Sequence, residues 1–245
     1  MLWMCYTFAM WQDAVDLRDF YASPIGSVAR RTLRTHLRAL WPDLNGMAVL
    51  GLGFATPYLG AFPEAARTIA AMPAAQGVLH WPADDASLTF LSDEAELPLP
   101  DLSVDRVLLV HAVECAEQLR PMMREIWRVM TGSGRLIIIA PNRRGIWARL
   151  DRTPFGYGEP YSPNQLVRLL RDAMFTPIVT QGALYMPPSK SRMVMSSARA
   201  WENIGKRWFS AVGGVIVVEA SKQIYAATPR TQPAQARAYS AVPNS

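Results

Sequence analysis

With 245 residues, half of them hydrophobic and 18% charged, the chain is sized for one larger domain or a domain with attachments, and a disordered or collagen-like polymer is excluded. No uncharged apolar run approaches the ~18–20 residues that a membrane-spanning helix needs. The two cysteines, Cys5 and Cys115, give neither a disulfide framework nor metal-ligand spacing, so no metal is expected and a reducing, cytoplasmic setting is. The net charge of +5 rests on 22 Arg against 3 Lys. That bias suits oxyanion binding, because the guanidinium fork grips phosphate and carboxylate. A GC-rich coding sequence is the other reading, and a basic balance alone does not indicate nucleic acid.

Met1 to Trp11 is uncharged and lacks the basic region and cleavage site of a signal peptide. It reads as an upstream extension, with Met10 as the true start, or as a membrane-touching segment. A helix should begin at Ser23-Pro24, an N-cap followed by proline at the first helical position. Ile25, Val28, Ala29, Leu33, Leu37 and Leu40 form its apolar stripe. Arg30, Arg34 and Arg38, with Arg31 nearby, line another face, either solvated or gripping an anionic partner.

Short apolar runs then follow at Met47–Leu52, Arg67–Met72, Leu88–Leu91, Val104–Val110 and Leu136–Ala140. The last two are nearly continuous, as expected of parallel strands covered on both faces. Between them lies a helix with the stripe Leu119, Met122, Met123, Ile126, Val129 and Met130, which Gly132 and Gly134 should end. Strand, helix and strand make a βαβ unit. Ser162-Pro163-Asn164-Gln165 predicts a capping box and a helix burying Leu166, Val167, Leu169, Leu170 and Ala173. Two late strands, Thr176–Leu184 and Gly214–Ala226, flank a helix carrying Trp201, Ile204 and Trp208, and these strands could pair as an edge hairpin. Thr228–Ser245 is rich in Pro, Ala, Ser and Gln and reads as a disordered tail. The alternation predicts an α/β domain with a mainly parallel sheet.

In such sheets ligands bind beyond the carboxyl ends of the strands. The first strand runs into Gly51-Leu52-Gly53-Phe54-Ala55-Thr56-Pro57. Gly53 permits close approach of backbone to a ligand, Thr56 can cap the next helix, and Pro57 suits its first position. The free N–H groups of that helix start suit an anion, although a plain strand-to-helix turn reads the same way. Asp93 and Glu94 follow the third strand, where a carboxylate can accept the exocyclic amine of a base. His111 and Glu114 follow the fourth strand and should face the same crevice. An ordinary hydrogen-bonded structural histidine is the other reading of His111.

Taken together, these residues resemble the class I S-adenosylmethionine-dependent methyltransferases, most closely the type 11 group that includes the quinone-biosynthesis enzymes. Leu97-Pro-Leu-Pro-Asp-Leu-Ser-Val-Asp105 looks like that group's LPFPDNSFD. Arg124-Glu-Ile-Trp-Arg-Val-Met130, with Gly132-Ser-Gly-Arg-Leu136, looks like its REIxRVLxPGGRL, and Pro141-Asn142 also fits. The resemblance implies a Rossmann-like three-layer sandwich with a seven-stranded, mainly parallel sheet and an antiparallel edge hairpin. It further implies an N-terminal helical extension over 1–45, the methyltransferase-like domain over 46–227 and the tail over 228–245. S-adenosylmethionine is the cofactor it implies, held by Gly51, Gly53, Ala55, Thr56, Asp93, Glu94 and His111.

The family loop reads acidic-x-Gly-x-Gly-x-Gly, whereas its four places here are Gly51, Gly53, Ala55 and Pro57. The acid that holds the ribose hydroxyls after the second strand is replaced by Ala70-Ala71-Met72-Pro73. Each charge-assisted bond lost costs roughly 1.5–3 kcal/mol, or one to two decades of affinity. Either Gln76 compensates or binding is weak or lost.

An active enzyme would present His111 as first choice of base, with Glu114 and Tyr157 behind it. The loops Asn142–Trp147 and Phe155–Tyr161 should roof the crevice. Arg143, Arg144, Arg149 and Arg152 favour an anionic small-molecule acceptor. A catalytically silent, methyltransferase-like binding or regulatory protein is the alternative. A peripheral membrane or nucleic-acid binder using the Arg30–Arg38 face is a third reading, though the sequence lacks a base-reading motif.

Overall fold

The computed structural model describes residues 13–150, 153–208 and 210–224. The readings made for Met1–Trp11 and Thr228–Ser245 fall outside them, as does Arg152.

Two helices come first. Asp13 caps α1 (Ala14–Ala22) by accepting from the Val15 amide. Ser23 then ends α1 and starts α2 (Pro24–Leu40), its hydroxyl accepting from the Gly26 amide. The sequence reading placed α2 and missed α1. The strands are β1 (Ala48–Gly53), β2 (Arg67–Pro73), β3 (Thr89–Ser92), β4 (Val104–Val110), β5 (Met130–Pro141), β6 (Phe175–Ala183) and β7 (Val215–Lys222). Helices α3 (Thr56–Leu59), α4 (Leu119–Val129), α5 (Pro163–Asp172), α6 (Arg192–Ser196) and α7 (Ala198–Trp208) connect them.

One sheet holds all seven strands in the order β3-β2-β1-β4-β5-β7-β6. β1 to β5 run parallel, while β7 pairs antiparallel with both β5 and β6. The edge hairpin expected from the late strands is therefore present. Alternate residues feed two cores. Ile137 and Ile139 join α1, α2 and α3 on one face, and Leu136 and Ile138 join α4 and α5 on the other. Cover on both faces is why these strands read as continuous apolar runs. Leu17, Tyr21, Leu33, Leu37 and Trp41 lie in the first core, so the N-terminal helices are packed into the same body as the sheet.

One expected helix stop is corrected. α4 ends at Val129 because Met130 turns extended and pairs with Val104. Gly132 and Gly134 lie inside β5, in a register shift between the pairs Val104↔Met130 and Arg106↔Arg135. The small residues thus serve a bulge in the strand rather than a helix end.

Candidate active site at the C-terminal rim

The strand order reverses between β1 and β4, and in open α/β sheets ligands bind at such a switch point. Gly51 is small because a Cβ there would meet Ala55 Cβ at 2.7 Å, so its absence lets α3 lie close on β1. Gly53 has φ +79°, and a Cβ would meet the Val110 carbonyl oxygen at 2.3 Å. The turn is thereby drawn onto the end of β4, with the Phe54 amide donating to Val110 O at 2.8 Å. Ala55, not Thr56, precedes α3 as its cap residue. Thr56 and Pro57 are its first two residues, and no side chain caps it.

Beyond β4, His111 takes φ +50°, an uncommon conformation for a non-glycine residue. Its buried ring is held at both nitrogens. Nδ1 lies 3.2 Å from Glu114 Oε1, and Nε2 lies 2.8 Å from the Tyr21 hydroxyl. Tyr58 donates to that same Tyr21 oxygen at 3.0 Å, which leaves the Tyr21 proton for His111. The result is a buried chain Tyr58–Tyr21–His111–Glu114 joining α3, α1 and the end of β4. Burial pushes both tyrosine hydroxyls well up in pKa. Glu114 Oε2 is buried without a hydrogen-bond partner among the described residues. Tyr157 is not brought to this chain; Phe155 is, its ring 4.9 Å from that of His111. The stretch after it is tied to the segment beyond β4, since Glu159 N donates to Glu114 O and Tyr161 OH to Val113 O.

Asp93 and Glu94 sit past β3, as expected. Together with Pro73, Ala74, Ala75, Glu117 and Gln118 they line a cavity of about 100 Å³. Asp93 Oδ1 accepts from the Ala95 amide at 2.8 Å, and Glu94 Oε1 from the Gln118 amide at 2.5 Å. Burial raises the Glu94 pKa, and the neighbouring Glu117 and Asp93 carboxylates add to the rise. Such a site favours amine donors. It is too small for a nucleoside until its walls part.

Gln76 follows Pro73, Ala74 and Ala75 of this cavity's lining in the chain. Its side chain is buried, and Nε2 donates to the His111 carbonyl at 2.5 Å. Its own carbonyl accepts from the Ala14 amide of α1 at 2.8 Å. Gln76 Oε1 is a buried acceptor with no partner among the described residues, close beyond the strand end that lacks the ribose-binding acid.

A second cavity, of about 640 Å³, is within the range of small-molecule sites. Arg18, Arg30 and Arg34 line it with Tyr21, Phe54, Thr56, Trp81 and His80. No carboxylate is among its described lining residues. Arg18 pairs with Asp19, and Arg34 donates to the Gly60 carbonyl. Arg38 is held by Glu64 in an adjoining groove that Arg30 and Arg34 also border. Tyr21 and these cavity arginines are what sequence reasoning left out of the site. Tyr21 belongs to the missed helix and stands ninety positions from its partner.

This sheet order and rim are those of the class I S-adenosylmethionine-dependent methyltransferase fold. Residues 50–138 match the family profile described as a methyltransferase domain. Over 95 residues the chain is 37% identical to probable S-adenosylmethionine-dependent methyltransferases from two strains of Mycobacterium tuberculosis. The match covers 38% of this chain and 34% of the relatives, so it spans about a third of their length.

Among solved structures, one similar chain is a methyltransferase of Thermotoga maritima described as a possible histamine N-methyltransferase. It has a TM-score of 0.57 and 16% identity, over 85% of this chain and 95% of that one. Another is the complex of the Haloferax volcanii Trm112 methyltransferase activator with a methyltransferase. It has a TM-score of 0.58 and 17% identity, over 86% and 97% of the two chains. The [4+2]-cyclase SpnF also shares the fold, with a TM-score of 0.50 and 22% identity over 82% and 80%.

Proposed function

We propose that the chain binds S-adenosylmethionine across this rim and transfers its methyl group to a small anionic acceptor. One observation supports the reading: β1 runs into the Gly53 turn at the switch point of a 3-2-1-4-5-7-6 sheet, and residues 50–138 match the methyltransferase domain. Asp93 and Glu94 would take the adenine amine, and the orphaned Gln76 Oε1 would accept a ribose hydroxyl in place of the missing acid. The cofactor supplies an electrophilic methyl on sulfonium, so the chain contributes mainly positioning and exclusion of water. Arg18, Arg30 and Arg34 would orient the acceptor's anionic group in the larger cavity. Tyr21, on that cavity's wall, would hand the acceptor's proton to His111 Nε2, and Glu114 fixes the imidazole. The free thiol of Cys115 fits a reducing compartment such as the cytoplasm.

Calorimetric titration with S-adenosylmethionine and with S-adenosylhomocysteine tests the reading. Asp93→Asn keeps the acceptor for Ala95 and removes the charge, so affinity should fall about tenfold. Absence of heat at millimolar ligand points to the second reading, a catalytically silent binding protein. That reading is supported by the middle of the rim, which Gln76 and the Tyr21–His111 pair fill.

A further inference from the structure

Two adjacent antiparallel strands need only two to five residues between them. Residues 184–214 intervene between β6 and β7 and carry α6 and α7. The inward side of α7 is polar and small. Glu202 is buried, accepts from the Tyr185 amide at 2.8 Å, and meets His36 Nε2 of α2 at 3.3 Å. Gly205 makes room for the Tyr185 ring, which a Cβ would approach to 2.0 Å.

The large apolar side chains face outward instead. Trp201, Ile204 and Trp208, spaced at i, i+3 and i+7, are 41%, 52% and 71% exposed, and Met193 on α6 is 80% exposed. A helix of a soluble domain normally hides that stripe. Exposed cations flank it: Lys190, Arg192, Arg199, Lys206 and Arg207. Glu202 is the sole acid in residues 184–214, and it is buried. The Arg207 guanidinium lies 5.8 Å from the Trp208 ring centroid.

We propose that the α6–α7 face docks on a bilayer surface containing anionic lipid. Apolar side chains standing out on a short helix, in a segment with several exposed cations and no exposed acid, match the needs of a helix lying in the headgroup plane. Tryptophan suits the boundary between headgroups and acyl chains, and each cation gains from the negative surface potential. No helix among the described residues is long and apolar enough to cross a membrane, so the association is peripheral. The inference stands apart from the cofactor reading.

Flotation of the full chain with phosphatidylcholine vesicles, with and without phosphatidylglycerol, tests it. The wild type should float with the anionic vesicles and detach as salt rises. Ile204→Ala/Trp208→Ala should weaken that partition about tenfold. Lys206→Gln/Arg207→Gln should erase the preference for phosphatidylglycerol. Melting curves should match the wild type throughout, because all four side chains are exposed. Three results would overturn the proposal: failure of the wild type to float with anionic vesicles, wild-type partition by the Ile204/Trp208 variant, or, on size exclusion, a wild-type dimer that the Ile204/Trp208 variant dissolves, which would make the face a contact between copies.

Discussion

A single hydroxyl, that of Tyr21, joins three segments of this molecule. Replacing it in Tyr21→Phe leaves the Tyr58 donor and His111 Nε2 unpaired in a buried space. A buried group left unsatisfied costs about 1–3 kcal/mol, so the melting temperature at pH 7 should drop by several degrees, as calorimetry would record. The alkaline limb gives a second check. Burial raises the pKa of Tyr21 and Tyr58 above the ordinary value of 10, and Tyr161 is pushed up to about 12 by burial, with Glu114 adding to the rise. Below pH 10 neither folded nor unfolded chains ionise these groups. As pH rises past 10 the unfolded chain gives up protons that the folded chain retains, and stability is lost until the folded pKa is reached. Tyr21→Phe removes one such proton. Its stability should therefore decline less steeply between pH 10 and 12, and the deficit seen at pH 7 should narrow.

At the scale of elements, the motifs that carry the family resemblance turn out to bind each other. Arg128 on α4 donates to the Leu97 and Leu99 carbonyls and to Asp101, and pairs with Glu125. Glu125 in turn accepts from the Leu97 amide at 3.0 Å. The LPLPD stretch is thus clasped to the REIWRV helix, so these motifs speak for the fold and not for the chemistry. The Arg128 guanidinium, hydrogen-bonded to Glu125, holds the latter's pKa below its usual value. A depressed carboxylate stabilises the fold above its unfolded pKa and loses that contribution as pH falls through its folded one. Glu125→Gln should therefore melt a few degrees lower at pH 7, and the gap from wild type should close as pH falls below about 4.

The same scale explains what was legible. β4 and β5 announced themselves because burial on both faces makes strands uniformly apolar. The places of Asp93 and His111 followed from being strand ends. α1 escaped because only Ala14, Leu17 and Tyr21 of its nine residues are buried, too few to establish a period. In α7 the apolar stripe sits on the outer side, so the spacing was right and the buried side was Glu202 and Gly205. The strand order came from resemblance alone, because register between distant strands leaves no local mark.

Taken whole, the molecule ties α1 to the segments beyond β2 and β4 at the C-terminal rim of the sheet. The Ala14 amide is tied to the Gln76 carbonyl, the Gln76 side chain to the His111 carbonyl, and Tyr21 to the His111 ring. The carboxylate-lined cavity at Asp93 and the arginine-lined cavity at Phe54 share no lining residue. On the reading proposed above, a cofactor reaching from Asp93 to the glycine turn would have to part α1 from the loop after β2 before it could seat. Association that waits on such a rearrangement runs below the usual ~10⁵–10⁷ M⁻¹s⁻¹. Leu17, fully buried beneath α1, sets how firmly the helix sits. Leu17→Ala leaves a cavity costing about 2–5 kcal/mol, part of which loosens α1 and raises the population of the parted rim. Stopped-flow mixing with S-adenosylmethionine should then show association several times faster than in wild type, together with a lower melting temperature. A variant that melts lower yet binds at the wild-type rate would mean that the rim accepts its ligand without moving α1.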